Sequence, residues 1–196
     1  MNQKIKRHWL IGIVTALVLS GVGTVTRASD DVTVRWDLLK VVPPNLYAGG
    51  VASPTAGDGS MITVTGTGTF QMEEGSIDNV SGGGTWETRD ASNTVTGSGT
   101  YRVRGVVLFM RAPGSLPSPP LVDHIGNAAD ASSGLAVLRV HYSDGSRGIL
   151  VVECMLPVGS PPSFVEGITV IKGNLNYLNS SHSPTLFHVQ AAHESN

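Results

Sequence analysis

From about residue 29 onward, apolar and polar positions alternate in short runs and do not recur every three or four residues. A period of two marks strands that cover one face and wet the other. Gly, Pro, Asn and Asp interrupt the runs at the short intervals that turns between strands require. The pattern predicts strands near 32–41, 61–72, 83–89, 94–110, 135–142, 148–156 and 167–178. The connections 42–60 and 112–133 are longer and rich in Pro and Gly. After residue 178 the chain turns polar, and 179–196 is expected to be a flexible tail. The predicted fold class is therefore all-β: a single antiparallel β-barrel over 29–178, closed or nearly closed.

An internal repeat supports that reading. Residues 63–70 read Thr-Val-Thr-Gly-Thr-Gly-Thr-Phe, residues 82–86 Gly-Gly-Gly-Thr-Trp, and residues 94–101 Thr-Val-Thr-Gly-Ser-Gly-Thr-Tyr. All three end in Gly-Xaa-Gly-Thr-aromatic, at Phe70, Trp86 and Tyr101, and spacings of 16 and 15 residues fit successive antiparallel strands. Alternation sends Ile62, Val64, Gly66, Gly68, Phe70 and Met72 to one face and the threonines between them to the other. The glycine-bearing face is expected inward, where missing side chains permit strong coiling and let neighbouring aromatics fill the space. The outward threonines need no reason beyond their ordinary preference for the wet face of a strand.

The run Tyr142-Ser-Asp-Gly-Ser-Arg147 predicts a hairpin. A three-residue loop places Ala136, Leu138, Val140 and Tyr142 on one face with Leu150, Val152, Cys154 and Leu156. A two-residue loop would mix Arg147 and Glu153 into that face. Burial selects the first register, because a slip of one residue reverses every side chain. Arg139 and His141 then share the outer face with Glu153, and Arg139 with Glu153 is expected to form a diagonal ion pair.

The first 28 residues follow another pattern. Lys4, Lys6 and Arg7 precede an apolar stretch from Trp9 to about Val25, and Thr26 and Ala28 occupy the small-residue positions that a signal peptidase reads. An N-terminal signal helix over 1–28, cleaved before Ser29, is expected, and with it a secreted or periplasmic location. No later run is long and apolar enough to span a bilayer, so no stable membrane insertion is expected after cleavage. The full chain carries 13 basic and 15 acidic residues. Cleavage removes four basic and no acidic ones, leaving a net charge of −6 and no Lys/Arg cluster. That balance argues against nucleic acid as a partner, and against anionic membrane surfaces for the same reason. The single Cys154 of an exported chain makes no intramolecular disulfide, and its β-branched surroundings predict a buried, inert thiol.

Candidate chemistry is sparse. Phe70, Trp86 and Tyr101 would line a barrel interior and are the candidate contacts for a small apolar ligand. Glu153, Glu166, His141 and Arg139 are the ionisable residues set in apolar strand context, and a carboxylate beside a His can do acid–base work. The histidines His182, His188 and His193 lack the close spacing of a metal site, so neither a metal nor another cofactor is expected. The Asp123-His124 dipeptide sits in a loop. No phosphate loop or nucleophile elbow is present. Oligomeric state leaves no mark in the sequence.

Gly83-Gly-Thr-Trp-Glu-Thr-Arg-Asp-Ala, the later Gly-Ser-Gly-Thr-Tyr, and Phe164-Val-Glu-Gly-Ile-Thr-Val resemble a group of small exported bacterial β-proteins of unknown function, over roughly residues 60–178. The Gly-Thr-Gly-Xaa-Phe strands are more distantly similar to the calycin-type barrels of allene oxide cyclases and dirigent proteins. That resemblance implies a fold and no catalytic residue, since no site motif of those families is matched. Two functions follow as expectations: a binding or scaffold module of the bacterial envelope, or a barrel enzyme of cyclase or isomerase type using an inward carboxylate or His.

Overall fold

The computed structural model describes residues 31–73, 76–117, 119–180 and 182–191. The expected signal helix, 1–28, lies outside them. Among the described residues the chain is all-β, with one short 3-10 turn at Ala128–Asp130 and no α-helix. The strands are β1 (Val32–Val42), β2 (Asn45–Ala48), β3 (Thr55–Ala56), β4 (Met61–Val64), β5 (Thr67–Glu73), β6 (Ser76–Arg89) and β7 (Val95–Ala112). They continue with β8 (Val122–Asp123), β9 (Ala131–Tyr142), β10 (Arg147–Cys154), β11 (Gly167–Lys172), β12 (Leu175–Leu178) and β13 (Thr185–Ala191).

Hydrogen bonds carry the sheet round into a ring: β9 pairs β10, and pairing continues through β11, β12, β3, β4, β6 and β7 back to β9. A second path leaves β6 through β5, β1 and β13 and also returns to β9. The long strands β6, β7 and β9 belong to both paths. The three repeat strands are antiparallel neighbours, β6 lying between β4/β5 and β7, as their spacing predicts.

The inward faces pack into one core. Trp36, Leu38, Ile62, Leu138, Ile168 and Phe187 have no exposed surface, so no water-sized void touches them. Aromatic rings lie over the repeat glycines, as expected. A Cβ on Gly66 would stand 2.8 Å from the Trp36 ring and 2.3 Å from the Tyr101 hydroxyl, and one on Gly68 2.7 Å from Trp36 Nε1. Trp86 covers Gly97 and Gly99 in the same way, at 3.3 and 3.1 Å. These strands carry glycine because the facing ring takes the side chain's place.

Three expectations need correction. The strand expected over 61–72 breaks at Thr65-Gly66, where Leu38 N–H reaches the Gly66 carbonyl and Thr65 N–H the Thr85 carbonyl. The break lets β4 pair one half of β6 while β5 pairs the other half and β1. The run 167–178 is a hairpin, turning at Gly173, whose φ of 57° suits glycine. The largest correction is the tail. Within 179–196 lies β13, paired to β1 over seven residues, with Leu186 and Phe187 fully buried. Its run of five buried residues covers both faces, so it lacks the alternation by which a half-wet strand is recognised.

Candidate functional site

The interior aromatics sit where expected and are fully engaged. Phe70, Trp86 and Tyr101 are 1%, 4% and 3% exposed. Phe70 meets Phe109 edge to face at 5.3 Å, and Phe109 meets Phe187 likewise. At the other end Trp86 and Tyr101 converge on Tyr142, each with ring centroids 6.0 Å apart. Their polar atoms are satisfied: Trp86 Nε1 donates to the Thr100 carbonyl and the Tyr101 hydroxyl to the Thr65 carbonyl. Burial pushes the Tyr101 phenol well above its ordinary range. Lys172 Nζ stands 4.1 Å over the Trp86 ring and pairs with Asp144, whose carboxyl it holds down to about 2 together with Ser146.

Glu153, Glu166, His141 and Arg139 do not form one site. The hairpin adopts the three-residue loop, Tyr142 N–H donating to the Ser146 carbonyl, and all eight residues of its expected apolar face are buried. That register sets Arg139 opposite Ile149 and Glu153 opposite Leu135. Four positions therefore separate the two charges along the strand, and the expected ion pair is absent from the described residues.

Glu166 is the most perturbed carboxyl. Its Oε2 accepts from Met155 N–H at 2.6 Å, and its Oε1 from Thr185 N–H and, at 3.0 Å, from the Thr185 hydroxyl. Burial lifts its pKa to about 7 against the pull of these donors, and Glu153 adds a smaller upward push. Its backbone carbonyl accepts from Asn179 Nδ2, and the Thr185 hydroxyl also reaches the Glu153 carbonyl. Glu166 thus ties the end of β10 to the start of β13. Both oxygens are occupied by the fold, which makes it a clasp between strands. Cys154 lies beneath it, its thiol pushed up by burial and bonded to the Thr185 carbonyl, an inert arrangement.

Arg139 and His141 instead join a group that chain order conceals. On the outer face of β7, β9 and β10, Arg102 stands opposite His141 and His141 opposite Arg147. In the next row Arg139 lies between Gly105 and Ile149. The β7–β9 register slips between Val103 and Gly105, and Arg104 is the extra residue, turned outward by that bulge. All five residues are exposed. None of the four arginines has an ion-pair partner among the described residues, where the pairs are Arg35–Asp37, Arg89–Glu87, Lys172–Asp144 and His188–Asp123.

Two adjoining clefts run across this face. One, of about 550 Å³, is lined by Arg104, Arg139, His141, Arg147, Gly148 and Ile149. The other, of about 370 Å³, has Thr100, Arg102, Arg104, His141 and Ser143 in its walls. Among the described residues no carboxylate lines either. Gly105 makes room for Arg139: a Cβ there would stand 2.7 Å from the guanidinium Nη2. Four unpaired guanidiniums in a concave surface present the planar donor forks that oxyanions match. The sequence offers no local Lys/Arg cluster, yet the fold assembles one.

A second polar group is buried on the outer side of β1 and β13. Arg35 holds Asp37 through two hydrogen bonds of 2.8 and 3.1 Å, and Thr67 adds a third to Asp37 at 2.7 Å. His188, opposite Arg35 and 2% exposed, meets Asp123 at 2.6 Å. Asp123 also accepts from Ile125 N–H, and Gly126 packs against the His188 ring. The long Pro/Gly-rich connection 112–133 is thereby fastened over β13. Its Asp123-His124 dipeptide divides its roles, since His124 stacks on Tyr47 at 4.7 Å. No group of three or more metal-ligating side chains occurs among the described residues. No family model, curated protein or solved structure matches the chain.

Proposed function

We propose that the chain is an exported β-barrel module of the bacterial envelope that binds a partner through its outer surface, its interior serving as structural core. The cationic start, apolar run and Thr26/Ala28 pair support export. The closed ring of strand pairing supports the barrel. The observation that carries the reading is the contrast between inside and outside: Trp36, Phe70 and Phe187 are at most 1% exposed, while four guanidiniums face solvent with no ion-pair partner among the described residues. In small barrels the interior either fills with side chains or holds one ligand. The alternative, a cyclase or isomerase, has the raised pKa of Glu166 in its favour, since perturbed carboxyls cluster at catalytic sites. Against it stands the complete hydrogen bonding of that carboxyl.

Native mass spectrometry of the protein purified from its source tests the reading. A bare mass is expected, or an adduct that survives Trp86→Ala and is lost when Arg139 and Arg147 are both changed to Ala. An adduct lost on Trp86→Ala in a folded protein, and kept without the arginines, would overturn it.

A further inference from the structure

The outer face of β7, β9 and β10 is basic at one end and apolar over the rows beyond, until Glu153 stands opposite Leu135 in the last of them. Beyond the row of Gly105, Arg139 and Ile149, Leu108 stands opposite Val137, and Val137 opposite Val151. In the following row Met110 lies opposite Leu135. Leu108 and Met110 are exposed, and Val137, Val151, Ile149 and Leu135 are half-buried. Neighbouring strands lie ~4.8 Å apart and alternate residues ~7 Å apart along a strand, so the basic rows and the apolar rows form one continuous surface about 20 Å long.

The charges carry a cost that the fold leaves standing. Arg102 and Arg147 flank His141 across the two strand pairs, with Arg104 and Arg139 beside them, so that four guanidiniums of like charge crowd one face. The β-bulge at Arg104 adds a guanidinium to the group, and Gly105 keeps the space that Arg139 occupies. The clefts have the volume of a small-molecule site, and their charge calls for a multiply hydrogen-bonding anion. A long polyanion would meet the net negative charge of the rest of the chain. A free inorganic anion would leave the adjoining apolar rows unused.

We infer that this face binds a single anionic amphiphile, its oxyanion head group held by Arg104, Arg139 and Arg147 and its hydrocarbon chain laid along Ile149, Val137, Leu108 and Met110. The inference rests on the outer-surface reading above and names its ligand class. A lipid-type molecule taken up singly fits concave clefts of this size better than the flat surface of a bilayer does.

Calorimetric titration of the purified protein tests it with three probes held below their micelle concentrations: dodecyl phosphate, dodecylphosphocholine and inorganic phosphate. Dodecyl phosphate is expected to bind about tenfold or more tightly than either of the others, because two or three charge-assisted hydrogen bonds and the chain contacts must act together. The double change Arg139→Ala and Arg147→Ala should abolish that preference, with the circular dichroism spectrum unchanged. Gly105→Ala should weaken it several-fold by displacing the Arg139 guanidinium. Equal affinity for the phosphate and phosphocholine amphiphiles, or for inorganic phosphate, would overturn the inference while leaving an outer binding surface intact. So would binding confined to phosphatidylglycerol vesicles, which would make the face a membrane-contact surface. Binding of dodecyl phosphate that is lost on Trp86→Ala and kept without the arginines would sink the outer-surface reading as well.

Discussion

The sheet formed by β7, β9 and β10 has two faces of opposite character. Inward, Tyr101, Val103, Leu138, Val140 and Leu150 are all buried, and the polar atom of Tyr101 finds a backbone partner. Outward, the residues between them include Arg102, Arg104, Arg139, His141 and Arg147, exposed and unpaired. The same backbone supports both, because alternate residues of a strand face opposite ways. The inner face accounts for stability, as burial of apolar surface dominates folding. Groups kept in mutual repulsion on a rigid sheet are available for binding.

Mutations separate the two faces, and the largest effect belongs inside. Phe187→Ala should cost ~3–5 kcal/mol in urea unfolding, as expected of a fully buried ring. A loss below about 1 kcal/mol would mean that β13 is the loose tail the sequence suggests. Asp37→Ala should cost about 3 kcal/mol by leaving Arg35 and Thr67 without their acceptor. It lies on the outer side of β1 but is covered, so burial, not face, should decide its weight.

Glu166 gives an intermediate effect that depends on pH. Its carboxyl is raised from an ordinary value of 4.5 to about 7 in the folded chain. The folded state therefore holds a proton that the unfolded state releases between those values, and stability falls as pH rises from about 4.5 to about 7. The loss should be on the order of 3 kcal/mol. Glu166→Gln should flatten that slope in melts followed across the range, and an unchanged slope would remove Glu166 as its source. Smallest of all, Arg139→Ala should shift stability by no more than about 0.5 kcal/mol in either direction, since repulsion is relieved as packing is lost. A cost above about 2 kcal/mol would show that the outer arginines hold the fold together.

Much of this contrast is legible in the sequence. Alternation sorted the first repeat strand onto its correct faces, from Ile62 to Phe70, and burial logic selected the three-residue hairpin loop at Ser143-Asp-Gly145. The strand β13 was hidden because Leu186, Phe187, His188 and Val189 are buried on both faces, and a short doubly covered strand set among polar residues has no period. Arg102 and Arg104 are visibly two apart, and the hairpin register puts Arg139, His141 and Arg147 on one face. What joins them is the pairing of β7 with β9 and the bulge at Arg104, and both are long-range facts about the sheet. The same limit hid the Asp123–His188 contact, whose partners are 65 residues apart. It also produced the mistaken Arg139–Glu153 pair, where the shared face was right and the distance along the strand was not.

That binding belongs to the outer face is tested most directly by amide chemical-shift mapping during titration with dodecyl phosphate. The largest shifts should fall on Gly105, Arg139, His141, Arg147 and Gly148, while the amides of Trp36, Phe70 and Phe187 stay in place. Shifts centred on Phe70, Trp86 and Phe187, with the arginine face unmoved, would contradict it.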